Sequence, residues 1–583
     1  MRPVTITHPG AADNRVPGGK GRRTGFPWRV PVASNCAGRS APRRQRRLWP
    51  WLLGLWLVAL VLALIGLGGQ PLRDWDEAIV ARVSLEMSRT PWAAGLLPTY
   101  LGHSYLNKPP GLHLGIAAAI GSWRWLSGAG PEALPPEWVV RLIPALGSSL
   151  LVPLLALVQA KLRPGRPHVA VATGLITLTL LPLARHGRLA MLDGVQLSAM
   201  AVVWLGMLMA APGQRRSLAA GLLAGLGGSM LLLLKAPVAL PVLGSALALR
   251  ALERDRNRLA FIWLLIAMLA GLMPGLLWHG WHLHARGSEA LLMWGGQGMA
   301  RLVVKVNDNG GGPLVPIIQV LSGGWPWLPL LPFGLALAWR ERGSRAGLWT
   351  LGLSLQAALL VFPLRTQLPW YHLLLWPPFA LACGPVLADL ASGSILRRRA
   401  RMLGMLWTAL GGLLLIGAGL AFLAPASLAP RELGAILLPA AIGLGAAGIT
   451  LAREGRGMRR PWAVPSLAAG WLLSLAMLFS SSLWNWELNE QAPIEAALEL
   501  AGRDNGLSRK APLTVLAEDA ESQRPSLHWY LDSSFRPVER ERKTWPRHSF
   551  LLLARSDRAI APALERCRVD QAGSGGWKRW YCR

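Results

Sequence analysis

Three carboxylates gather in the stretch RDWDEAIVARVSLEMSR, where Asp74, Asp76 and Glu77 stand just after an apolar run, and YLNKPPG follows with Tyr105 and Lys108. An aspartate with a second acid beside it can act as a general base, because the neighbouring negative charge and partial burial raise its pKa toward the working pH. The same acids also suit the start of a helix running on to Met87, where they would meet the positive end of the helix dipole. Asp74-Trp75-Asp76 has the D-x-D spacing of a metal site in nucleotide-sugar enzymes, but nucleotide sugars are cytoplasmic. In Lys108-Pro109-Pro110 the prolines fix an extended turn. The ammonium held there can bind phosphate as a point charge, or it can snorkel to an interface as an ordinary lysine.

Further along, ionisable residues interrupt apolar sequence at Arg188, Asp193, Lys235, Arg301 and Arg365, and GIn-type and aromatic groups follow at Gln367, Trp370 and Tyr371. Ionisable groups at membrane depth are costly and mark a substrate path or a site. Arg188, Lys235, Arg301 and Arg365 together would make a phosphate-binding set, whereas Trp370 and Tyr371 also fit an interfacial aromatic belt. His279, His282 and His284 are spaced so that they do not share one helical face, and a zinc cluster is not expected.

The elements that must position these residues are membrane helices. The chain has 583 residues, 52% of them hydrophobic and only 16% charged, with a mean hydropathy of +0.34. The run 49–68 carries no charge and is long enough to cross a hydrocarbon core of ~30 Å. It exceeds the apolar region of a cleaved signal peptide and lacks a small-residue cleavage site. The net charge of +31 comes in short clusters between apolar runs, as the positive-inside rule requires, so nucleic acid is not an expected partner. Those clusters, at 43–47, 161–166, 215–216, 250–258, 340–345, 397–401 and 453–460, mark the cytoplasmic face. Paired apolar runs between them predict an all-α polytopic membrane protein of about 13 transmembrane helices. In this scheme 142–160 crosses and 111–127, interrupted by Arg124, lies on the outer surface. The pair 217–234 and 236–250 goes out and returns.

Three regions follow. Residues 1–47, rich in Gly, Pro and Arg, are expected to be a disordered basic cytoplasmic tail lying on anionic lipid. Residues 48–484 form the multispanning domain, with a first external loop at 69–141. Residues 485–583 read as a small α/β extracytoplasmic domain, with strands near 513–517 and 549–554 around a helix at 522–531. Cys567 and Cys582 flank a glycine-rich turn there. A disulfide between them would close a loop of about 16 residues, worth roughly 3 kcal/mol in an oxidising compartment.

In order along residues 50–390, these motifs resemble a known family. Asp76-Glu77 after the first span, Tyr105-Leu-Asn-Lys108-Pro109-Pro110, Arg188-Leu-Ala-Met-Leu-Asp193, Lys235-Ala-Pro237, Gln297…Arg301, Trp325-Pro326-Trp327 and Gln367-Leu-Pro-Trp-Tyr371 resemble the C-class (GT-C) membrane glycosyltransferases. The similarity is to the bacterial aminoarabinose transferases that modify lipid A and, more distantly, to the protein O-mannosyltransferases. The resemblance implies a polyprenyl-phosphate sugar donor, a lipid or protein acceptor, and transfer with inversion on the outer face of a bacterial inner membrane. It further implies Asp76 as base with Glu77 beside it, and Lys108 with Arg188, Lys235 or Arg301 on the phosphate. Tyr105, Asp193, Gln367 and Tyr371 complete the expected substrate site.

Two departures bear on these expectations. The residue before Lys-Pro-Pro is often acidic in the aminoarabinose transferases and linked there to metal, but here it is Asn107. No metal is assigned at that point, and a divalent cation elsewhere stays open. After Asp76-Glu77 the chain reads Ala-Ile-Val-Ala in place of Ala-Arg-Tyr-Ala, which leaves sugar and acceptor open. A transporter or flippase for lipid-linked sugars would share the spans and the cations without needing Asp76.

Overall fold

The computed structural model describes residues 48–583 except 212, 254–256, 305–311, 313, 396, 426–427, 454–461, 487–496, 502–512, 518–523, 532–536, 540–548, 556–559 and 561–564. The expected tail at 1–47 lies outside the described residues. What is described is a multispanning helical protein with a small mixed sheet near its C-terminus.

By length and composition, eight helices among the described residues can cross a membrane, and up to nine if the bent pair Leu314–Gly323 and Leu328–Arg340 is one span. Glu137–Leu162 is one of the eight and contains the expected crossing at 142–160. Three shorter apolar helices, Trp49–Leu64, Pro167–Thr179 and Arg345–Val361, fall below the length criterion. The expectation of about 13 spans counted these short helices, and also both arms of a longer helix that breaks at Lys235. Gly111–Ser127 is outside the set: Arg124 Nη1 donates to Ser88 Oγ at 3.1 Å, and Trp125 and Leu126 are exposed.

That longer helix, Gln214–Leu252, folds back on itself. Its backbone leaves helical geometry at Lys235 (φ −151°, ψ 80°), followed at once by Pro237. Proline removes a helical donor and clashes with the preceding turn, so the break falls where the sequence puts Lys-Ala-Pro. The two arms then lie side by side, since a Cβ on Gly228 would sit 2.9 Å from Leu243 Cδ2. The preceding arm packs closely on the next helix, Arg258–Arg286. A Cβ on Gly225 would reach 2.2 Å from the Met268 carbonyl oxygen, the small-residue contact by which helices associate where lipid offers no hydrophobic drive.

Ion pairs mark one end of the bundle. Arg163 pairs with Glu341 and Arg166 with Asp389. Glu253 accepts from Arg345 at 2.9 Å and from the Trp349 indole at 2.8 Å, and Arg345 also donates to the Leu208 carbonyl at 3.0 Å. The basic clusters near 161–166, 250–258 and 340–345 therefore share an end. The loop after the first helix, the 185–193 turn, Lys235 and the segment after Ser480 meet at the other end, as Glu77–Arg141, Lys235–Asp193 and Arg185–Trp484 contacts show.

At that second end the loop after the first helix builds its own scaffold. Glu77–Arg89 is followed by a two-residue hairpin pairing Thr99–Tyr100 with His103–Ser104. Leu101 (φ 53°) and Gly102 (φ 79°) form its tip, the left-handed pair that a tight hairpin demands. Glu86 holds it by accepting the Leu101 N–H at 2.7 Å and the Thr99 hydroxyl at 2.7 Å.

The C-terminal region carries a five-stranded sheet ordered Pro537–Glu539, Leu513–Ala517, Phe550–Ala554, Lys578–Cys582 and Cys567–Ala572. The first two neighbouring pairs are parallel and the last two antiparallel. Phe550–Ala554 is buried along its whole length, as a strand covered on both faces must be. Cys567 and Cys582 lie opposite each other in register and are joined as a disulfide. The helix expected at 522–531 is Pro525–Tyr530.

Candidate functional site

Asp76 is half-buried at the start of the helix Glu77–Arg89. Its N–H donates to the Asp74 carbonyl at 2.7 Å across Trp75, whose φ is +62°. This is a γ-turn with its central residue in the left-handed region, a rare and strained turn. A bulky residue held there costs of order 1–3 kcal/mol and persists only where its surroundings enforce it.

Both flanks are enforced. On one side, Asp74 Oδ2 receives Arg524 Nη1 at 3.1 Å and Oδ1 receives the Ser526 N–H at 2.8 Å. On the other, Glu77 is fully buried. Arg141 Nε and Nη2 donate to its two oxygens at 2.8 and 2.7 Å, and the N–H groups of Ala190 and Arg73 add bonds at 2.7 and 3.0 Å. Burial alone would raise the Glu77 pKa, but the Arg141 guanidinium and these donors outweigh it and hold the carboxyl below its usual range. Glu77 is therefore committed to the scaffold.

Lys108 is half-buried, on the turn that the hairpin and Pro109-Pro110 deliver. Gly111 follows and lies against the bend of the long hairpin helix: a Cβ there would meet the Leu233 carbonyl oxygen at 2.7 Å, so glycine lets the Lys108 turn close on Lys235. Burial first, then Lys235 and Arg301, lower the Lys108 pKa to about 7 against the opposing pull of Asp193 and Asp76. Tyr105 is buried beneath this turn, edge-on to His113 with ring centres 5.6 Å apart. Burial pushes its phenol up, with the Tyr100 and Asp76 charges adding.

Lys235 reaches the same place from the helix bend. Its Nζ lies 3.0 Å from Asp193 Oδ1 and 4.8 Å from the centre of the Tyr371 ring. The break in helical backbone is what aims it, since a lysine inside a continuous helix would project along the helix surface. The Arg301 carbonyl accepts the Arg365 N–H at 3.0 Å, which fastens the segment bearing Arg301 to the one leading into Tyr371. Asp76, Tyr105, Lys108, Asp193, Lys235, Arg301 and Tyr371 thus converge.

Two other expected residues do not join them. Arg188 is fully buried, donates to the carbonyls of Leu62 and Ile65, and stacks on Phe479 and Trp484 at 4.2 and 4.4 Å. It ties off the end of the first membrane helix and has its guanidinium in that packing. Gln367 is buried, and its amide donates to the Val361 and Leu364 carbonyls at 3.0 and 2.9 Å, capping the helix Arg345–Val361. Sequence reasoning missed Arg141 and Arg524, because their partners lie 64 and 450 residues away and nothing local announces them.

Where the resemblance links a metal to an acid, Asn107 is exposed and neutral. Among the described residues no three His, Cys, Asp or Glu side chains gather as a metal-holding group. A half-buried carboxylate within electrostatic reach of Lys108, which also feels Lys235 and Arg301, suits a reaction in which a hydroxyl is deprotonated as a phosphate departs.

The family described as dolichyl-phosphate-mannose-protein mannosyltransferase (PMT) matches residues 111–281. An undecaprenyl phosphate-alpha-4-amino-4-deoxy-L-arabinose arabinosyl transferase from Edwardsiella ictaluri (strain 93-146) is 27% identical over 461 residues, covering 75% of this chain and 77% of the relative. Crystal structures of ArnT from Cupriavidus metallidurans share the fold. The form bound to undecaprenyl phosphate gives a TM-score of 0.66 at 18% identity, covering 91% of this chain and 98% of that one. The apo form gives 0.65 at 17% identity, covering 93% and 98%. In sequence the chain resembles the polyprenyl-phosphate-sugar-dependent C-class membrane glycosyltransferases, and it has their fold.

Proposed function

We propose that the protein transfers a monosaccharide from a polyprenyl-phosphate-linked donor to a hydroxyl of a lipid or protein acceptor, on the extracytoplasmic face of a bacterial inner membrane. The observation that carries this reading is the convergence of half-buried Asp76 with Lys108, Lys235 and Arg301 at one end of the bundle. Asp76 takes the proton of the acceptor hydroxyl as its oxygen attacks the anomeric carbon. The bond from that carbon to the phosphate oxygen breaks, the electron pair leaves with the phosphate, and configuration inverts. Lys108, Lys235 and Arg301 stabilise the departing phosphate, whose charge grows as the bond lengthens.

Location follows from charge. The basic clusters near 161–166, 250–258 and 340–345 lie at the opposite end of the bundle, which the positive-inside rule makes cytoplasmic. The N-terminus is then cytoplasmic, and the sheet domain with its disulfide is periplasmic, where disulfides persist.

Replacing Asp76 by Asn tests the reading. Release of undecaprenyl phosphate from a pool of undecaprenyl-phosphate sugars should fall by roughly 10²–10⁴, while binding of undecaprenyl phosphate itself stays within about twofold. Unchanged release would reject Asp76 as the base. A transporter of lipid-linked sugars would move donor without any release, in wild type and variant alike.

A further inference from the structure

The C-terminal domain reaches the first external loop through the short helix Pro525–Tyr530 and the residue before it. Their contacts fall around the turn that carries Asp76. Arg524 and the Ser526 N–H hold Asp74, two residues before Asp76. Tyr530 Oη accepts the Leu72 N–H at 2.8 Å and donates to Glu137 at 3.1 Å. Further out, Arg82 Nη1 donates to the His528 carbonyl at 3.1 Å. Trp529 is fully buried in the main apolar core, so the helix is seated in the membrane domain and does not merely rest on it.

We propose that Arg524 and the Ser526 N–H are positioning groups for Asp76, so that the C-terminal domain supplies part of the active-site framework in cis. This rests on the reading of Asp76 as the base. The physical reason lies in the turn. Trp75 holds φ +62°, and an isolated chain would relax such a residue to negative φ. Relaxation rotates the peptide planes on both sides of Trp75 and swings the Asp76 carboxylate away. Glu77 fixes the chain after Asp76 and, through the Arg73 N–H, the residue before Asp74, which leaves the Asp74–Trp75–Asp76 arc between them to be held from its other side. The second anchor is the buried Asp74 carboxylate, fixed by its bonds to Arg524 and to Ser526. A misplacement of about 1 Å in a reacting group can cost roughly 10²-fold in rate.

The test uses the full-length protein in nanodiscs and compares Arg524→Ala, Arg524→Lys, Asp74→Asn and Asp76→Asn. Release of undecaprenyl phosphate from undecaprenyl-phosphate sugars gives kcat and KM, and binding of undecaprenyl phosphate is measured separately. Arg524→Ala should lower kcat about 10- to 100-fold with KM and lipid affinity within about twofold. Arg524→Lys should recover most of the rate, and Asp74→Asn should show an intermediate loss because it keeps the acceptor of the Ser526 bond. Full activity of Arg524→Ala overturns the proposal, while an inactive Asp76→Asn in the same set leaves the base reading standing. Loss of lipid binding together with kcat in Arg524→Ala also overturns it, as general damage to the fold. An active Asp76→Asn removes the base reading and this proposal with it.

Discussion

Lys235 and Asp193, 42 residues apart, meet at 3.0 Å at the bend of a helix that turns back on itself. The pair joins two neighbouring hairpins at the end where Asp76 and Lys108 lie. Asp193 partly neutralises the lysine, and the lysine in turn keeps its ammonium over Tyr371.

Lys235→Met keeps the apolar stem and removes the charge. Affinity for undecaprenyl phosphate should drop about tenfold, the scale of one charge-assisted contact. Asp193→Asn leaves the ammonium without its carboxylate and should tighten phosphate binding about threefold. Titration of thermal stability with undecaprenyl phosphate reports both. Equal affinities in the three proteins would remove Lys235 from the phosphate site.

Lys108 makes the site sensitive to pH near neutrality. With its pKa lowered to about 7 by burial and by Lys235, the amine is charged below that pH and neutral above it. Undecaprenyl phosphate affinity should therefore fall as pH rises from about 6 to about 8, and Lys108→Arg, which stays charged, should flatten the dependence. Comparing the two proteins cancels the ionisation of the lipid phosphate itself. The folding contribution has the opposite sense: between about 7 and the ordinary lysine value of 10.5 the unfolded chain holds more protons, so this group makes stability rise with pH across that window.

Arg141→Met would leave Glu77 buried without its cation. Breaking one partner of a buried pair costs about 3–5 kcal/mol, so the melting temperature in detergent should fall sharply. The double variant Glu77→Gln/Arg141→Met should recover part of the loss, because no unpaired charge is left inside. A single variant as stable as wild type would show that the pair is not holding the loop.

Topology can be read by labelling. Trp92 is exposed in the loop after the first helix and Arg342 is exposed among the basic residues of the other end. In a protein with Cys36 replaced by Ser, a membrane-impermeant maleimide applied from the periplasm should label Trp92→Cys and spare Arg342→Cys. The reverse pattern would place the loop in the cytosol, where a periplasmic transfer reaction has no use for it.

Much of this molecule is written locally. Apolar runs long enough for a bilayer, and cations confined to the short segments between them, are one-dimensional properties, and they yield the helical class. The two arms expected at 217–234 and 236–250 are read from the basic clusters on either side of them, and the backbone breaks between them at Lys235. The C-terminal strands expected at 513–517 and 549–554 follow from their alternating or continuous apolar pattern.

Partnership was decided only in three dimensions. Glu77 reads like a neighbour of the base, but the fold brings Arg141 and two backbone donors to it and makes it a buried anchor. Arg188 reads like another phosphate cation, yet the end of the first helix offers it two carbonyls and two aromatic faces, and its guanidinium is held there. Asp74 and Arg524 show the same thing across 450 residues. The sequence by itself determined which segments enter lipid and which carry charge, because hydrophobicity and helical period act over a few residues. Which charge is free to meet a phosphate depends on contacts between distant segments, and only the packed chain decides that.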